Sequence, residues 1–373
     1  MRLSPFLLER WFAKYEFEVK YNLCASCASS TNTAELLHLA GENAANEYLH
    51  LDLDYTQNPG NPRLRKEISR LYQNQQPEDI QVTIGASEAI YLLMNCLVQP
   101  GDNIVVQYPI YQSLFEVASS IGAEVRCWHL DENFNLDLDK LPQLIDEQTK
   151  MVVVNYPHSP TGAMISIEQQ QRLIQIIEKN DCYLISDEVY AGIVYNPTHE
   201  LPRAADLSSL AVSIGDLTKP WGLGGLRVGW LASKQPELLE KCSAMRDYTT
   251  MCNAAPAEYL SSIAVQYSEE ILPQKIELAR QNIKTWQQFC EQHPGVFSWI
   301  PPKGGFTAFP KIELDVNVDN FCRKLAEEYS VLLMPGSTFG SDQHIRIGFG
   351  NNSTQFEEGL ELFSKFINSY RKI

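Results

Sequence analysis

The chain has 373 residues, of which 44% are hydrophobic and 20% are charged, so the sequence predicts a folded globular protein rather than a disordered one. Its formal net charge is −16 at pH 7. Because nothing in this composition resembles a basic face that displaces counterions from phosphates, no nucleic-acid partner is expected.

The N-terminal segment, M-R-L-S-P-F-L-L-E-R-W-F-A-K-Y-E-F, places charges at Glu9, Arg10 and Lys14 among its apolar residues. It lacks a continuous apolar core, so we do not interpret it as a secretory signal peptide. No uncharged apolar run approaches the roughly 20 residues that span a bilayer. The sequence therefore predicts a cytoplasmic protein with no membrane partner.

Nine cysteines are scattered along the chain, and Cys24 and Cys27 form a C-x-x-C pair. Such a pair can be half of a zinc site, but no second pair or histidine cluster completes it in the sequence. We therefore predict reduced cysteines and no metal site.

The segment T-I-G-A-S-E-A-I, residues 83–90, predicts a strand that ends at Gly85 and a helix that opens at Ser87. Free N–H groups at such a helix start bind phosphates, and the Ser87 hydroxyl adds a donor. If this segment stood alone, a simple capped helix would be the preferred interpretation.

Short runs rich in β-branched residues recur through the middle of the chain, and helical patterns lie between several of them. One helix opens at Ser166 with Gln169 three residues later, which is a capping-box pattern. This alternation predicts an α/β fold with a mostly parallel sheet and helices on both faces. The predicted strands are residues 104–107, 151–155, 183–186, 211–215 and 228–232.

The pattern changes after about residue 256, where a long helical stretch runs to about residue 290. We expect a smaller α+β domain here, completed by the first ~45 residues, which also lie outside the alternating region. The predicted large domain is 46–256, and the small domain is 1–45 with 257–373. The predicted strands of the small domain are 296–300, 306–309, 331–334 and 344–349. The last helix carries Phe356, Leu360, Phe363 and Ile367 on one face.

The strongest chemical signal is S-I-G-D-L-T-K-P-W-G-L-G-G-L-R-V-G-W, residues 213–230. Lys219 follows a short apolar strand, and a lysine held in such a site can lose its proton and attack a carbonyl carbon. Arg227 offers a fork of donors suited to a phosphate. A tight turn with an exposed lysine and arginine is the alternative without chemistry. A dinucleotide loop beginning at Gly222 is rejected, because no acidic residue follows a second strand at the expected distance.

The pattern K-x-x-G-L-x-G-x-R-x-G-W at residues 219–230 resembles the lysine signature of the class I/II aminotransferases, which are pyridoxal-phosphate enzymes of fold type I. By this resemblance, Lys219 carries pyridoxal 5′-phosphate as a Schiff base. The residues that would hold the phosphate are Gly85, Ala86, Ser87 and Arg227.

Three further signatures occur in the order that the family has them. In Q-Y-P-I-Y, Tyr111 would stack on the pyridine ring. In N-Y-P-H-S-P-T-G, Ser159 stands where the family usually has an asparagine near the phenolic oxygen, so we expect that contact to be lost or to shift to Asn155 or His158. In S-D-E-V-Y, Asp187 would keep the ring nitrogen protonated and Tyr190 would bond the phenolic oxygen. Singly, these residues would more often serve core packing or end a strand.

Two weaker matches concern the partner chain and the substrate. Asp54-Tyr55 followed by G-N-P-R-L-R resembles the segment whose tyrosine crosses the dimer interface, which implies a homodimer with Tyr55 at the neighbouring phosphate. The segment H-I-R-I-G-F resembles the substrate-binding end of the family, where Arg346 would grip the α-carboxylate with two parallel hydrogen bonds.

Besides Ser159, the chain departs from the family pattern at Asp216 and in the loop of residues 24–30. Asp216 stands where the family usually has a phosphate-binding serine or threonine, and we expect its carboxylate to cap local N–H groups, to pair with Arg227 or to be protonated. The loop C-A-S-C-A-S-S, residues 24–30, replaces a glycine-containing substrate loop. His158 is a possible catalytic base, but a structural role is favoured.

The resemblance covers roughly residues 50–350. It predicts an enzyme that moves an amino group between an L-amino acid and a 2-oxo acid, with Lys219 as the general base. A lyase or cyclase on the same scaffold is the alternative, since L-L-E-R-W-F, P-H-x-P-T-G-A and G-G-F-T-A-F-P resemble the capreomycidine-synthase group, which acts on arginine derivatives. A ligand-sensing domain would need a fused DNA-binding segment, and residues 1–50 contain no convincing helix-turn-helix.

Overall fold

The computed structural model of the chain describes residues 3–370. Its helices are α1 (Leu7–Tyr15), α2 (Thr33–Leu39), α3 (Ala44–Leu49), α4 (Pro62–Ser69), α5 (Gly85–Leu97), α6 (Ser113–Ile121), α7 (Leu141–Leu144), α8 (Ile167–Lys179), α9 (Ala204–Leu207), α10 (Pro236–Arg246), α11 (Ala255–Gln266), α12 (Ser268–Gln292), α13 (Val318–Tyr329) and α14 (Ser353–Tyr370). Its strands are β1 (Tyr21–Asn22), β2 (Ile80–Thr83), β3 (Asn103–Tyr108), β4 (Glu124–His129), β5 (Thr149–Asn155), β6 (Tyr183–Asp187), β7 (Ala211–Asp216), β8 (Gly229–Ala232), β9 (Phe297–Ser298), β10 (Thr307–Ala308), β11 (Lys311–Ile312), β12 (Val331–Leu332), β13 (Met334–Pro335) and β14 (Ile345–Gly348).

The largest sheet has seven strands in the order β2-β8-β7-β6-β5-β3-β4. Strands β4, β3, β5, β6 and β7 pair in parallel, whereas β8 runs antiparallel to both of its neighbours. Helices cover both faces, because Val106 and Val153 pack in one core with α5 and α6, and Val105 and Val152 pack in another with α8. The predicted α/β fold with a mostly parallel sheet is confirmed.

Most predicted elements of the sheet are present, with bounds that differ by one or two residues. The helix α5 begins at Gly85, two residues before the predicted start at Ser87. The capping box of α8 is present, since Gln169 N–H donates to Ser166 Oγ at 3.2 Å. Strand β4 was not predicted, because it is an edge strand whose exposed polar residues interrupt any apolar run.

The C-terminal part of the chain differs from the prediction at two points. The long helical stretch consists of α11 and α12, which are interrupted at Tyr267. The predicted strand 331–334 consists of β12, which pairs with β1, and β13, which pairs with β14. One apolar run serves two sheets here, so the sequence did not reveal the break. The predicted face of α14 is confirmed, because Phe356, Leu360, Phe363 and Ile367 are all buried.

The N-terminal segment packs against the C-terminal part of the chain. Strand β1 is parallel to β12, and the N–H of Gly348 donates to Leu23 O at 2.8 Å. This contact supports a unit built from both ends of the chain, whereas the division at residues 45 and 256 stays a prediction. Among residues 3–370, no helix is both long and apolar enough to cross a membrane.

The parallel strands bring three polar side chains to one edge of the sheet. Asn155, Asp187 and Asp216 are the last residues of β5, β6 and β7. Ligands of open α/β sheets bind beyond the carboxyl ends of the strands. This edge is therefore where a site is expected.

Candidate active site

A cavity of about 540 Å³ lies at this edge of the sheet. Its volume falls in the range of roughly 300–1,000 Å³ that small-molecule sites have. The fold brings ten residues predicted from the sequence to its wall, although they come from distant parts of the chain. They are Ala86, Ser87, Tyr111, Asn155, Ser159, Asp187, Tyr190, Lys219, Arg227 and Arg346.

The first turn of α5 and the guanidinium of Arg227 form one end of the cavity. Gly85 has φ +71°, and a Cβ there would lie 2.5 Å from Arg227 Nη2. The glycine therefore allows the guanidinium to reach the helix start. A helix N-terminus beside an arginine provides N–H donors and positive charge, which together suit a phosphate.

Asp216 contacts the same helix start. Its Oδ2 accepts a hydrogen bond from the N–H of Ala86 at 2.6 Å, and its Oδ1 accepts one from the N–H of Thr218. Among the described residues, no ion pair within 4.0 Å joins Asp216 to Arg227. Of the orientations expected from the sequence, the structure has the carboxylate capping N–H groups. One of those groups belongs to the predicted phosphate site.

Asp187 is a buried carboxylate, only 4% exposed. Its Oδ1 accepts a hydrogen bond from the N–H of Val189 at 3.1 Å, and residues 3–370 contain no ion-pair partner for it. Burial raises the pKa of Asp187 to about 7, and the negative charge of Asp216 adds to the effect. A cationic ring nitrogen would compensate this carboxylate and lower its pKa again.

Lys219 directs its amine toward the N-terminal loop, where Nζ donates to Ser26 Oγ at 3.1 Å. Burial lowers the pKa of Lys219, but Tyr190, Cys27 and Asp216 raise it, so that the net direction is upward. In the chain by itself, the pKa of Lys219 therefore favours the protonated amine. The interactions with these three side chains outweigh the effect of burial on the amine.

The aromatic wall is formed by Tyr111 together with Phe6, whose ring centroid lies 4.9 Å away. The Tyr111 hydroxyl donates to Glu9 Oε1 at 3.1 Å. Burial, and then the charge of Glu9, raises the pKa of Tyr111. Tyr190 is buried on the wall of the same cavity, following the β6 strand that ends in Asp187.

The turn after β5 is held by Asn155. Its Oδ1 accepts the N–H of Ser159 at 2.6 Å, and its Nδ2 donates to Asp187 O at 2.9 Å. His158 contacts Pro109 O through Nε2 and Thr161 Oγ1 through Nδ1, both at 2.7 Å. Burial lowers the pKa of His158 to about 4. Both ring nitrogens are engaged in the fold, which supports the structural role over catalysis.

Arg346 lies on β14 and is only 2% exposed. Its Nη2 donates to Cys24 O at 2.9 Å, whereas its Nε has no hydrogen-bond partner among residues 3–370. The rings of Phe12 and Phe339 lie 5.7 and 5.5 Å from the guanidinium. A buried guanidinium with an unused donor inside a cavity is suited to receive a carboxylate.

Two predicted site residues are not on the wall of this cavity: Gly85, which adjoins it at the start of α5, and Tyr55. The side chain of Tyr55 is 80% exposed, and other apolar side chains nearby are exposed as well. An exposed tyrosine at this position can contact a second chain.

Sequence reasoning missed several residues of the cavity. Thr218 lines the cavity, and its position directly before Lys219 could have identified it as a site residue. Ser26 lies in the loop identified only as a departure from the family. The helix α1 contributes Glu9 and Phe12, and no local pattern showed that the N-terminus folds over the site.

Comparisons with known proteins agree with this geometry. The family model described as aminotransferase class I and II matches residues 28–363. Capreomycidine synthase from Streptomyces vinaceus is 30% identical over 369 residues, which cover 98% of this chain and 94% of that protein. A PLP-dependent aminotransferase from Streptococcus suis 89-1591 superimposes with a TM-score of 0.94 at 32% identity over 99% of both chains. The PLP-dependent cyclase OrfR superimposes with a TM-score of 0.92 at 29% identity over 99% of this chain and 98% of its own.

Proposed function

The chain belongs to the class I and II aminotransferases, whose cofactor is pyridoxal 5′-phosphate, and we propose that it exchanges an amino group between an L-amino acid and a 2-oxo acid. The observation that carries this proposal is that Lys219 and the buried, incompletely paired Arg346 face one cavity. An amine nucleophile beside a carboxylate receptor is the arrangement that an α-amino acid requires.

The residues of the cavity fit the cofactor. When bound, pyridoxal phosphate supplies a protonated ring that accepts the electrons of a bond broken at the substrate α-carbon. Asp187, which forms no ion pair within 4.0 Å in the described part of the chain, would hold the ring nitrogen protonated. Arg227 and the first turn of α5 would hold the phosphate, with Gly85 allowing their close approach. Tyr111 would lie against the ring face.

Five residues that line the cavity have defined tasks in the proposed reaction. Arg346 holds the substrate carboxylate through paired N–H donors and so orients the α-carbon. Lys219, once its amine is free, takes the α-proton as general base. Tyr190, on the cavity wall, would donate a hydrogen bond to the phenolic oxygen of the cofactor. The side chains of Phe6, just before α1, and of Phe12, within α1, restrict water at the cavity.

A second candidate, a cyclase or lyase acting on an amino acid with a cationic side chain, is favoured by Glu9. Its carboxylate lies on the cavity wall, and residues 3–370 offer it no ion-pair partner within 4.0 Å. At 4 Å and an effective dielectric of about 20, a unit charge pair is worth roughly 4 kcal/mol. This attraction favours a substrate whose side chain carries a guanidinium or ammonium group. A repulsion of the same size disfavours a substrate with a second carboxylate. The names capreomycidine synthase and cyclase belong to two proteins that match almost the whole chain.

A homodimer is part of the proposal. Large apolar side chains are exposed on two adjacent segments, which Thr56 Oγ1 and Asn253 O join by a 2.9 Å hydrogen bond. A patch of this kind supports contact with a second copy, whose site Tyr55 would reach. The exposed residues are Leu49, Leu53, Tyr55, Tyr248 and Met251. The cytoplasmic location stays a prediction.

One experiment separates the two candidates. Single amino acids, including aspartate, phenylalanine and arginine, are added to the purified holoenzyme with and without a 2-oxo acid, and the cofactor absorbance and the products are followed. A transaminase converts one equivalent without an acceptor and continues only when a 2-oxo acid is added. A cyclase or lyase continues without an acceptor. If no amino acid changes the absorbance, both candidates are wrong.

The same assay tests Glu9. We expect Glu9→Gln to weaken the preference for arginine over norvaline by about tenfold or more, because a charge pair is lost. Glu18→Gln is the matched control, since Glu18 is exposed on the N-terminal segment away from the cavity wall. Equal preferences in both variants would remove Glu9 from the substrate site.

A further inference from the structure

Ser26 is a cavity residue that neither the sequence motifs nor the proposed reaction explains. Its Oγ accepts a hydrogen bond from Lys219 Nζ at 3.1 Å. The two residues are 193 positions apart, so the contact depends on how the N-terminal loop is placed. Ser26 lines the cavity together with Lys219 and Arg346.

The loop that carries Ser26 is anchored to the lysine segment. The N–H of Ala28 donates to the backbone oxygen of Lys219 at 2.9 Å. The next N–H, that of Ser29, donates to Gly350 O at 2.7 Å. The position of the Ser26 hydroxyl relative to Lys219 is therefore set by backbone hydrogen bonds on its C-terminal side.

The other side of the loop is anchored to the strand of Arg346. Arg346 Nη2 donates to Cys24 O at 2.9 Å. A Cβ at Gly348 on the same strand would collide with Ala25 O, so only a glycine allows the loop to lie this close. One short loop thus contacts both the lysine amine and the predicted receptor of the substrate carboxylate.

We propose that Ser26 is a positioning residue, whose hydroxyl holds the free amine of Lys219 beside the α-carbon of a substrate bound to Arg346. This inference rests on the proposed function and deepens it. Because Ser26 Oγ accepts an N–H of the amine, the nitrogen lone pair stays available.

The proton transfer balances without any change at Ser26. The bond between the α-carbon and its hydrogen breaks, and its electron pair stays with the substrate. The lone pair of Lys219 Nζ forms the new N–H bond, and the resulting ammonium keeps its hydrogen bond to Ser26. The hydroxyl holds the amine before and after the transfer and neither gains nor loses a proton.

The test compares Ser26→Ala and Ser26→Thr with the wild-type holoenzyme in a single turnover, using an amino acid that bleaches the cofactor and its α-deuterated form. We expect the alanine variant to lower the rate constant about tenfold, the effect of one lost hydrogen bond. It should also increase the deuterium isotope effect while the apparent Kd of the amino acid changes less than twofold. Threonine keeps the hydroxyl and should restore most of the rate. Ser29→Ala is the control, because that hydroxyl lies 3.5 Å from Lys275 and outside the cavity wall.

A second measurement uses the apo-protein and does not depend on turnover. Acetic anhydride labels free amines, and peptide mass spectrometry gives the labelling of Lys219 as a function of pH. Losing an acceptor of an ammonium N–H should move the midpoint for Lys219 to lower pH in Ser26→Ala and not in Ser26→Thr or Ser29→Ala. Unchanged rates, isotope effects and midpoint in the alanine variant would overturn the proposal. If no amino acid bleaches the wild type, the proposed function fails, while the labelling result still decides whether Ser26 holds the amine.

Discussion

Asp216 Oδ2 accepts a hydrogen bond from the backbone N–H of Ala86 at 2.6 Å. This N–H belongs to the first turn of α5, where the family resemblance expects the cofactor phosphate. A carboxylate thus takes a donor that a bound anion would use. At 4 Å and an effective dielectric of about 20, two unit negative charges repel by roughly 4 kcal/mol, more than the ~1 kcal/mol that one hydrogen bond contributes.

Replacing Asp216 should therefore not weaken cofactor binding. We expect Asp216→Ser to bind pyridoxal phosphate as tightly as the wild type or more tightly, because the repulsion is removed and a hydroxyl donor is added. Equilibrium dialysis of the apo-protein measures the Kd. Asp216→Asn serves as the control, since it removes the charge and keeps the shape. A tenfold loss of affinity in both variants would show that the carboxylate supports the site.

Lys219 should be the residue that bonds the cofactor. Its amine lies in the cavity between the ends of β6 and β7 and the loop of Ser26. Borohydride reduction of the holoenzyme, followed by peptide mapping, should find the pyridoxyl group on Lys219. Lys219→Ala should lose the cofactor absorbance, whereas Lys275→Arg should keep it, because Lys275 contacts the backbone of Ser29. An adduct on any other lysine contradicts the assignment.

Arg346→Ala should weaken the binding of the amino acid by about 2–5 kcal/mol, the usual loss when one partner of a buried charge pair is removed. The cofactor absorbance should remain, because the guanidinium contacts Cys24 rather than the predicted phosphate site. Titration of the absorbance change with substrate gives the Kd. Arg280→Ala is the control, since its guanidinium bonds Tyr195 O at the surface. Unchanged affinity in Arg346→Ala would exclude the residue from the substrate site.

Asp187 should make the stability of the apo-protein depend on pH. Its pKa is raised from 3.8 to about 7 by burial, so the folded state holds its proton more tightly than the unfolded state. The contribution of Asp187 to the free energy of unfolding is fully present below pH 3.8. It falls by roughly 4 kcal/mol in total as the pH rises to about 7.

Urea unfolding of apo-protein between pH 4.5 and 8 tests this, since Asp187→Asn has no charge to bury. We expect the variant to lose less stability than the wild type over this range, and Asp181→Asn, at an exposed position, to follow the wild type. Parallel curves for the wild type and Asp187→Asn would contradict the assigned burial of the charge.

Tyr55 in the partner chain can be tested by mixing two impaired variants. Tyr55→Ala should bind the cofactor weakly, and Lys219→Ala should be inactive. If Tyr55 acts across a dimer, subunit exchange creates one intact site in each mixed dimer, and activity returns to about a quarter of the wild-type value with random pairing. The control mixture combines Lys219→Ala with the double variant Tyr55→Ala/Lys219→Ala, in which no dimer contains Lys219. No recovery, with dimers verified by sedimentation, would place Tyr55 outside the partner's site.

Local patterns in the sequence determined the fold class, the lysine segment and most elements around it. Buried parallel strands appear in the sequence as continuous β-branched runs because both of their faces are covered. The capping box of α8 is recognisable because it is a contact between residues only three positions apart. The lysine segment was recognisable because Lys219, the glycines that follow it and Arg227 all lie within residues 219–230.

The tertiary structure alone decided which distant groups meet. The carboxylate of Asp216 bonds Ala86 across 130 positions, Tyr111 bonds Glu9 across 102, and Lys219 bonds Ser26 across 193. No spacing rule links such residues, because each contact results from how strands and helices pack and leaves no local periodicity. The raised pKa of Asp187 has the same origin, since burial is the sum of all the elements that cover a side chain.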